Sequence, residues 1–203
     1  MLFSPISFSL KPGESLQVRG ANGTGKTTLL KCLAGYLSIS SGHISYADQA
    51  NPLDWASLCS TKDQCFFPRL TLLENLIFFK KLYKSHIDFN PLMTELQIKQ
   101  HTKKEYQKLS TGIKKRLNIV RALLKDRTIV LIDEPFANMD INFVESLAKT
   151  FERLCRVEKK ILIFSNNNNP NLFSATKNLN LQESKSKWLK PIFIIFFFFT
   201  LST

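Results

Sequence analysis

Residues Gly20 to Thr27 read Gly-Ala-Asn-Gly-Thr-Gly-Lys-Thr, the pattern G-x-x-x-x-G-K-[ST]. Its chemistry is the holding of phosphate. Glycines let the backbone curl until its N–H groups face an anion, and the helix that follows adds the positive end of its dipole. Gly20, Ala21, Asn22, Gly23, Thr24, Gly25 and Thr28 form or flank the cradle, Lys26 reaches the terminal phosphates, and the Thr27 hydroxyl is a hard oxygen ligand for Mg²⁺. A second set lies far downstream, where Thr128-Ile-Val-Leu-Ile132 ends in Asp133-Glu134-Pro135. Asp133 suits Mg²⁺, directly or through water, and Glu134 suits the polarising of a water that attacks the γ-phosphate. Taken together, these residue types point to hydrolysis of a nucleoside triphosphate. Taken singly they say less, because a Gly-containing turn can match by chance and acidic pairs are common at loop entrances.

Such residues work only if secondary structure brings them together. Ser15 to Arg19 has the pattern of a strand, and Thr28 to Leu33 opens a helix, the strand–loop–helix setting that a phosphate loop needs. The β-branched and apolar run from Thr128 to Ile132 suits a strand buried on both faces of a parallel sheet. Ligands of open α/β sheets bind beyond the carboxyl ends of the strands, where both carboxylates would emerge. Pro135 is expected to hold Glu134 extended and to stop the strand. Between the two sets, Leu109, Ile113, Leu117, Val120 and Leu124 recur at helical spacing, which places Ser110 and Gly112 at a helix N-terminus. A Ser-x-Gly there is by itself an ordinary cap.

Leu109-Ser110-Thr111-Gly112-Ile113, between the phosphate loop and the acidic strand, is similar to the Leu-Ser-Gly-Gly-Gln signature of ABC transporter nucleotide-binding subunits. Leu109, Ser110 and Gly112 match it; Thr111 and Ile113 depart from it. Ala137 to Asp140 resembles the family's D-loop, and Leu70 to Leu76 its coupling region; the resemblance runs from about Leu2 to Asn166. It implies a P-loop NTPase of the ABC-ATPase type: an α/β fold with a mostly parallel core sheet, a small antiparallel β part and a helical subdomain over about 71–125. It also implies an ATPase that uses ATP and Mg²⁺ and forms a homodimer in which Ser110 and Gly112 complete the partner's nucleotide site. Integral-membrane transporter subunits are the other implied partners. Leu2 to Leu10, Gly13-Glu14 and Asp133 to Phe136 further resemble ATPase subunits of the haem exporter of c-type cytochrome maturation. Another small ABC subunit, or an ATP-dependent clamp that does not hydrolyse, is the alternative.

The chain departs from the family pattern at three places. The family's switch histidine, which contacts the γ-phosphate, has its counterpart in Asn166, a neutral donor that cannot shuttle a proton. Reduced turnover is the expectation. The coupling-loop glutamine, a catalytic and metal-facing residue in the family, corresponds best to Gln64, although Gln64 lies closer to Leu70-Thr71 than the family spacing has it. The adenine-stacking aromatic usually sits on a strand before the position of Leu2, so base stacking has no residue assigned here.

Composition sets the remaining bounds. The 203 residues contain one phosphate loop, so one domain over 1–166 with an extension over 167–203 is expected, and a tandem cassette acting on ribosomes is not. Net charge is +12, and ten basic side chains between Lys99 and Arg127 face only Glu105 and Asp126. A solvated helical face is the favoured reading of that run, and no nucleic-acid partner is expected because no aromatic platform accompanies it. Cys32, Cys59, Cys65 and Cys155 form no Cys-x-x-Cys pair and read as core thiols. No signal peptide is expected, and the apolar run from Ile192 to Phe199 is too short to span a bilayer. The lean towards Phe, Lys, Asn and Ile suggests A/T-rich coding, hence a peripheral place on the mitochondrial inner membrane facing the matrix, or alternatively on a bacterial cytoplasmic membrane.

Overall fold

The computed structural model describes residues 6–46, 52–60, 65–166, 173–181 and, for the backbone alone, 195–197. Five parallel strands make the main sheet, in the order β4 (Ala56–Cys59), β5 (Ile129–Ile132), β6 (Ile161–Asn166), β2 (Ser15–Arg19) and β7 (Lys177–Asn180). Every residue of β5 and β6 is buried. Because successive side chains alternate between faces, the two strands feed two cores. Val130, Ile132, Leu162 and Phe164 enter one, and Ile129, Leu131, Ile161 and Ile163 the other. On the second face lies α1 (Lys26–Leu33), through Leu29, Leu30 and Leu33. On the first lie α3 (Leu72–Leu82), α4 (Asn90–Glu95), α5 (Thr111–Leu123) and α6 (Ile141–Arg156). Phe143, Leu147, Phe151 and Leu154 of α6 repeat at helical spacing and meet the sheet.

The packed unit extends past residue 166, where the sequence suggested that it would end. The strand β7 pairs with β2 from Leu16↔Lys177 to Arg19↔Asn180. Thr176 Oγ1 donates to Ser15 O at 2.7 Å and accepts from Ser15 N at 2.8 Å. Phe173 packs edge-on against Phe151, with centroids 5.5 Å apart. An Asn-rich segment hid these anchors, since polar runs carry no strand periodicity. The smaller sheet is also different from expectation. β8 (Ile195–Phe197) lies between β1 (Phe8–Leu10) and β3 (Ile44–Ser45), parallel to both, and not in an antiparallel arrangement. Its strands come from distant parts of the chain, and such long connections permit parallel pairing where hairpins do not.

The helical part opens on a capping box, in which Thr71 and Glu74 satisfy each other's backbone N–H at the start of α3. Asn75 is fully buried; its amide donates to the carbonyls of Phe67, Leu70 and Thr71 and accepts from Phe67 N at 2.9 Å. That one side chain fixes the turn before the helix. Asn90-Pro91 starts α4, since proline is tolerated in the first turn. The basic run is not one solvated face either. Arg116 and Arg121 are buried, and Arg121 lies over the rings of Phe66 and Phe79. Among the described residues no helix is long and apolar enough to cross a membrane.

Candidate active site

The phosphate loop leaves the carboxyl end of β2, and α1 begins at Lys26 with no side chain capping it. Its close packing demands glycine at Gly20: a Cβ there would fall 2.5 Å from Thr24 Oγ1 and 2.9 Å from Leu181 O. Thr24 Oγ1 donates to Ala21 O at 2.9 Å and ties the loop across its width. Lys26 is 5% exposed, with Nζ donating to Gly20 O at 2.8 Å and Ala21 O at 2.9 Å. Asn22, Gly23, Gly25, Lys26, Thr27, Thr28 and Glu134 line a cleft of about 200 Å³. Of the residues expected to cradle phosphate, Gly20, Ala21 and Thr24 thus build the loop's frame, and the rest face the cleft.

The carboxylates arrive from the sheet. β5 is separated from β2 by β6 alone, so the acidic turn and the phosphate loop stand at the same edge. Asp133 is buried, and its N–H donates to Cys59 O at 2.9 Å. Both carboxylate oxygens accept hydroxyl hydrogens: Oδ2 from Thr27 Oγ1 at 2.8 Å and Oδ1 from Ser165 Oγ at 2.6 Å. A hydroxyl and a carboxylate converging beside a phosphate cleft form an all-oxygen donor set. It fits Mg²⁺, which takes one or two protein oxygens and completes its shell with phosphate and water. Glu134 is not extended, as Pro135 had suggested, but lies in the left-handed region at φ 48°. Its N–H donates to Ser165 Oγ at 2.8 Å, and this turned-back backbone lets Glu134 line the cleft. Asn166 ends β6 opposite Arg19 and is 4% exposed. Gln64 lies outside the described residues.

The Ser110–Gly112 turn is built differently. Ser110 caps α5, its Oγ accepting from Ile113 N at 3.4 Å, and it is exposed. A Cβ added to Gly112 would meet nothing within 4 Å. Neither residue lines the phosphate cleft of its own chain. Thr111 and Gly112 instead open on a second cleft of about 470 Å³, shared with Lys115, Asn118, Glu134 and Asn138. Among the described residues, only Glu134 belongs to both clefts.

Three contributions were not legible in the sequence. Lys115 Nζ donates to Ala137 O at 2.8 Å and so ties α5 to the turn after the acidic pair. Burial pushes this lysine below its ordinary pKa, against the pull of Cys59, Glu134 and Asp133. Arg116 pairs with Asp140 and lies 4.3 Å from the Phe143 ring centroid, while Asp140 Oδ1 caps α6 by accepting from Phe143 N at 2.9 Å. Ser165, on the buried strand β6, holds both acidic residues. The dense run of lysines and arginines concealed which ones turn inward.

The arrangement can hold a triphosphate, place a divalent cation at its end and set a carboxylate over the same space. Comparison with known proteins agrees with that reading. Residues 3–137 match the family model described as ABC transporter. The cytochrome c biogenesis ATP-binding export protein CcmA of Xylella fastidiosa is 32% identical over 189 residues, spanning 90% of this chain and 88% of that protein. The spermidine/putrescine import ATP-binding protein PotA of Thermotoga maritima is 30% identical over 165 residues, 73% of this chain but 43% of that protein. Among solved structures, a Pyrococcus furiosus protein described as an ABC transporter ATP-binding protein superposes with a TM-score of 0.70 at 24% identity, covering 84% of this chain and 85% of its own.

Proposed function

The chain belongs to the ABC transporter ATP-binding family, and on that premise we propose that it is the ATP-hydrolysing subunit of an export complex serving c-type cytochrome biogenesis, with haem as the exported group. The observation that carries the ATPase reading is the closed set Thr27–Asp133–Ser165, with Glu134 turned over the phosphate cleft. The loop from Gly20 to Thr28 binds the phosphates, and Lys26 exchanges its carbonyl partners for the β- and γ-phosphate oxygens. Thr27 and Asp133 would hold Mg²⁺, with Gln64 as a further ligand; the ion neutralises charge on the phosphates when bound. Glu134 accepts a proton from the attacking water as the water oxygen bonds to the γ-phosphorus and the bond to the β–γ bridging oxygen breaks, leaving ADP and phosphate. Asn166 donates a hydrogen bond to the γ-phosphate and orients the water without becoming a cation, which slows turnover.

Neither Ser110 nor Gly112 lines the phosphate cleft of its own chain, which suits a head-to-tail dimer in which each completes the partner's site. The helical subdomain over about 71–125 meets the integral-membrane subunits, and the chain sits peripherally on an inner membrane. The named relatives are bacterial; a mitochondrial place rests on the A/T-rich coding lean alone. The likeness to PotA favours a second reading, the ATP-binding subunit of another ABC transporter. One experiment separates the two: tag the chain, solubilise its native membranes gently and identify what co-purifies. Membrane subunits accompanied by haem-handling proteins of cytochrome maturation are expected. A different permease would replace the haem assignment, and recovery without any membrane subunit would overturn the transporter reading.

A further inference from the structure

We propose that Ser165 is a positioning residue for ATP hydrolysis, holding Asp133 and Glu134 in one register through a single buried hydroxyl. The assignment rests on reading the chain as an ATPase. β6 lies between the strand that leads into the phosphate loop and the strand that ends in the acidic pair, so its carboxyl end is the only strand end between the two walls of the site. Ser165 stands there with no exposed surface. A hydroxyl has one hydrogen to give and lone pairs to receive. Here the hydrogen goes to Asp133 Oδ1 at 2.6 Å, and Glu134 N donates to the oxygen at 2.8 Å. The result is a directed chain, from Glu134 N–H to Ser165 to Asp133, closed on the far side by Thr27 donating to Oδ2 at 2.8 Å.

Glu134 needs such a hold. Its backbone sits at φ 48° immediately before a proline, a conformation that an L-residue adopts only when its surroundings impose it. That same conformation makes Glu134 a wall of the phosphate cleft. Removing the Ser165 hydroxyl takes this acceptor from the part-buried Glu134 N–H and one of two hydroxyl donors from Asp133. The base then loses its aim, while the contacts of Lys26 and Thr24 that shape the phosphate loop do not involve Ser165. Ser165 does not line the cleft, so the effect falls on kcat and leaves KM nearly alone.

The test uses the full chain assembled with its membrane partners, with E134Q prepared in parallel, and measures turnover, KM for ATP and affinity for a fluorescent ATP analogue. S165A is expected to lower kcat by roughly 10- to 100-fold, with KM and analogue affinity within about twofold of the parent, and S165T, which restores the hydroxyl, to recover most of it. Parent-level turnover in S165A overturns the assignment. So does a loss of analogue affinity in step with turnover, the mark of a merely structural role. If S165A does not fold, S165C takes its place: a folded, slow cysteine variant supports the assignment, and parent-level turnover sinks it. Parent turnover no higher than that of E134Q removes the ATPase reading itself.

Discussion

The phosphate wall and the Ser110–Gly112 turn are both parts of one proposed reaction, yet they are built in opposite ways. In the wall, Lys26, Asp133 and Ser165 are buried; Lys26 is held by the loop carbonyl of Gly20, and Asp133 by hydroxyls from α1 and β6. In the turn, Ser110 and Thr111 are exposed, and Gly112 faces open space. One chain suffices to organise the wall, because its own sheet, phosphate loop and α1 supply these contacts. The turn has a shaped backbone and a cap, but among the described residues nothing lies within 4 Å of where a Gly112 side chain would begin. Preorganisation on one side and an open face on the other is what a site shared between two copies requires.

The largest expected effect breaks the wall at its centre. Lys26→Ala removes the only cation lining the phosphate cleft among the described residues, and should cut nucleotide affinity and turnover by about 100-fold or more. Equilibrium binding of a fluorescent ATP analogue checks it; affinity within a few-fold of the parent would mean that the loop does not use its lysine. Gly112→Asp acts on the opposite side of the comparison. The new carboxylate enters open space at the second position of α5, where the helix dipole favours it, so stability should hold or rise by about 0.5 kcal/mol. Turnover of the assembled complex should nevertheless fall at least about tenfold, because a negative charge then faces the partner's phosphates. Full turnover would exclude this turn from the partner's site.

How much of this was legible in the sequence differs between the two sides. The strands Ser15–Arg19 and Ile129–Ile132 and the helix capped by Ser110 have strong periodicity and sharp end signals, so their placement followed from local pattern. The backbone turn at Glu134 was misread because proline alone argues for extension, while a hydrogen bond to a residue thirty-one positions away decides the matter. Ser165 and Lys115 act through tertiary contacts, which spacing along the chain does not encode. The edge strand β7 was missed for a related reason: Lys177-Asn-Leu-Asn180 alternates only weakly, and its anchors are Thr176 on Ser15 and Lys177 on Glu14.

Arg116 ties α5, the helix that the Ser110 turn opens, to the start of α6, and its loss should show in stability before activity. Arg116→Ala gives up the pairing with Asp140, contact with the Phe143 ring and a 3.3 Å hydrogen bond to Gln97. Asp140 is 56% exposed and can recover water, so the cost should be about 1–2 kcal/mol in urea unfolding, well short of a fully buried pair. Arg116→Lys should recover part of the charge and little of the stacking. A neutral result for alanine would show that α5 and α6 are held by apolar packing alone.

The smallest effect probes whether the wall depends on the sheet's edge. Lys177 Nζ lies 2.9 Å from Glu14 Oε2, and Lys11 N donates to the same oxygen at 2.8 Å. Burial raises the Glu14 pKa, but these hydrogen bonds and the lysine charge outweigh it, so the folded-state value is lowered. The sign follows by linkage: the pair's contribution is fully present above the unfolded carboxyl pKa of about 4.3 and is lost as pH falls through the lower folded value. Glu14→Gln should therefore lower the melting temperature slightly at neutral pH, by an amount worth less than about 1 kcal/mol because the pair faces solvent. The difference from the parent should shrink as pH falls below the unfolded carboxyl value. Nucleotide affinity measured at pH 7 should not change, since Glu14 stands at the amino end of β2 and the phosphate loop at its carboxyl end. A weakened affinity in that variant would mean that the wall is organised from its edge strand inward, and its independence from β7 would have to be given up.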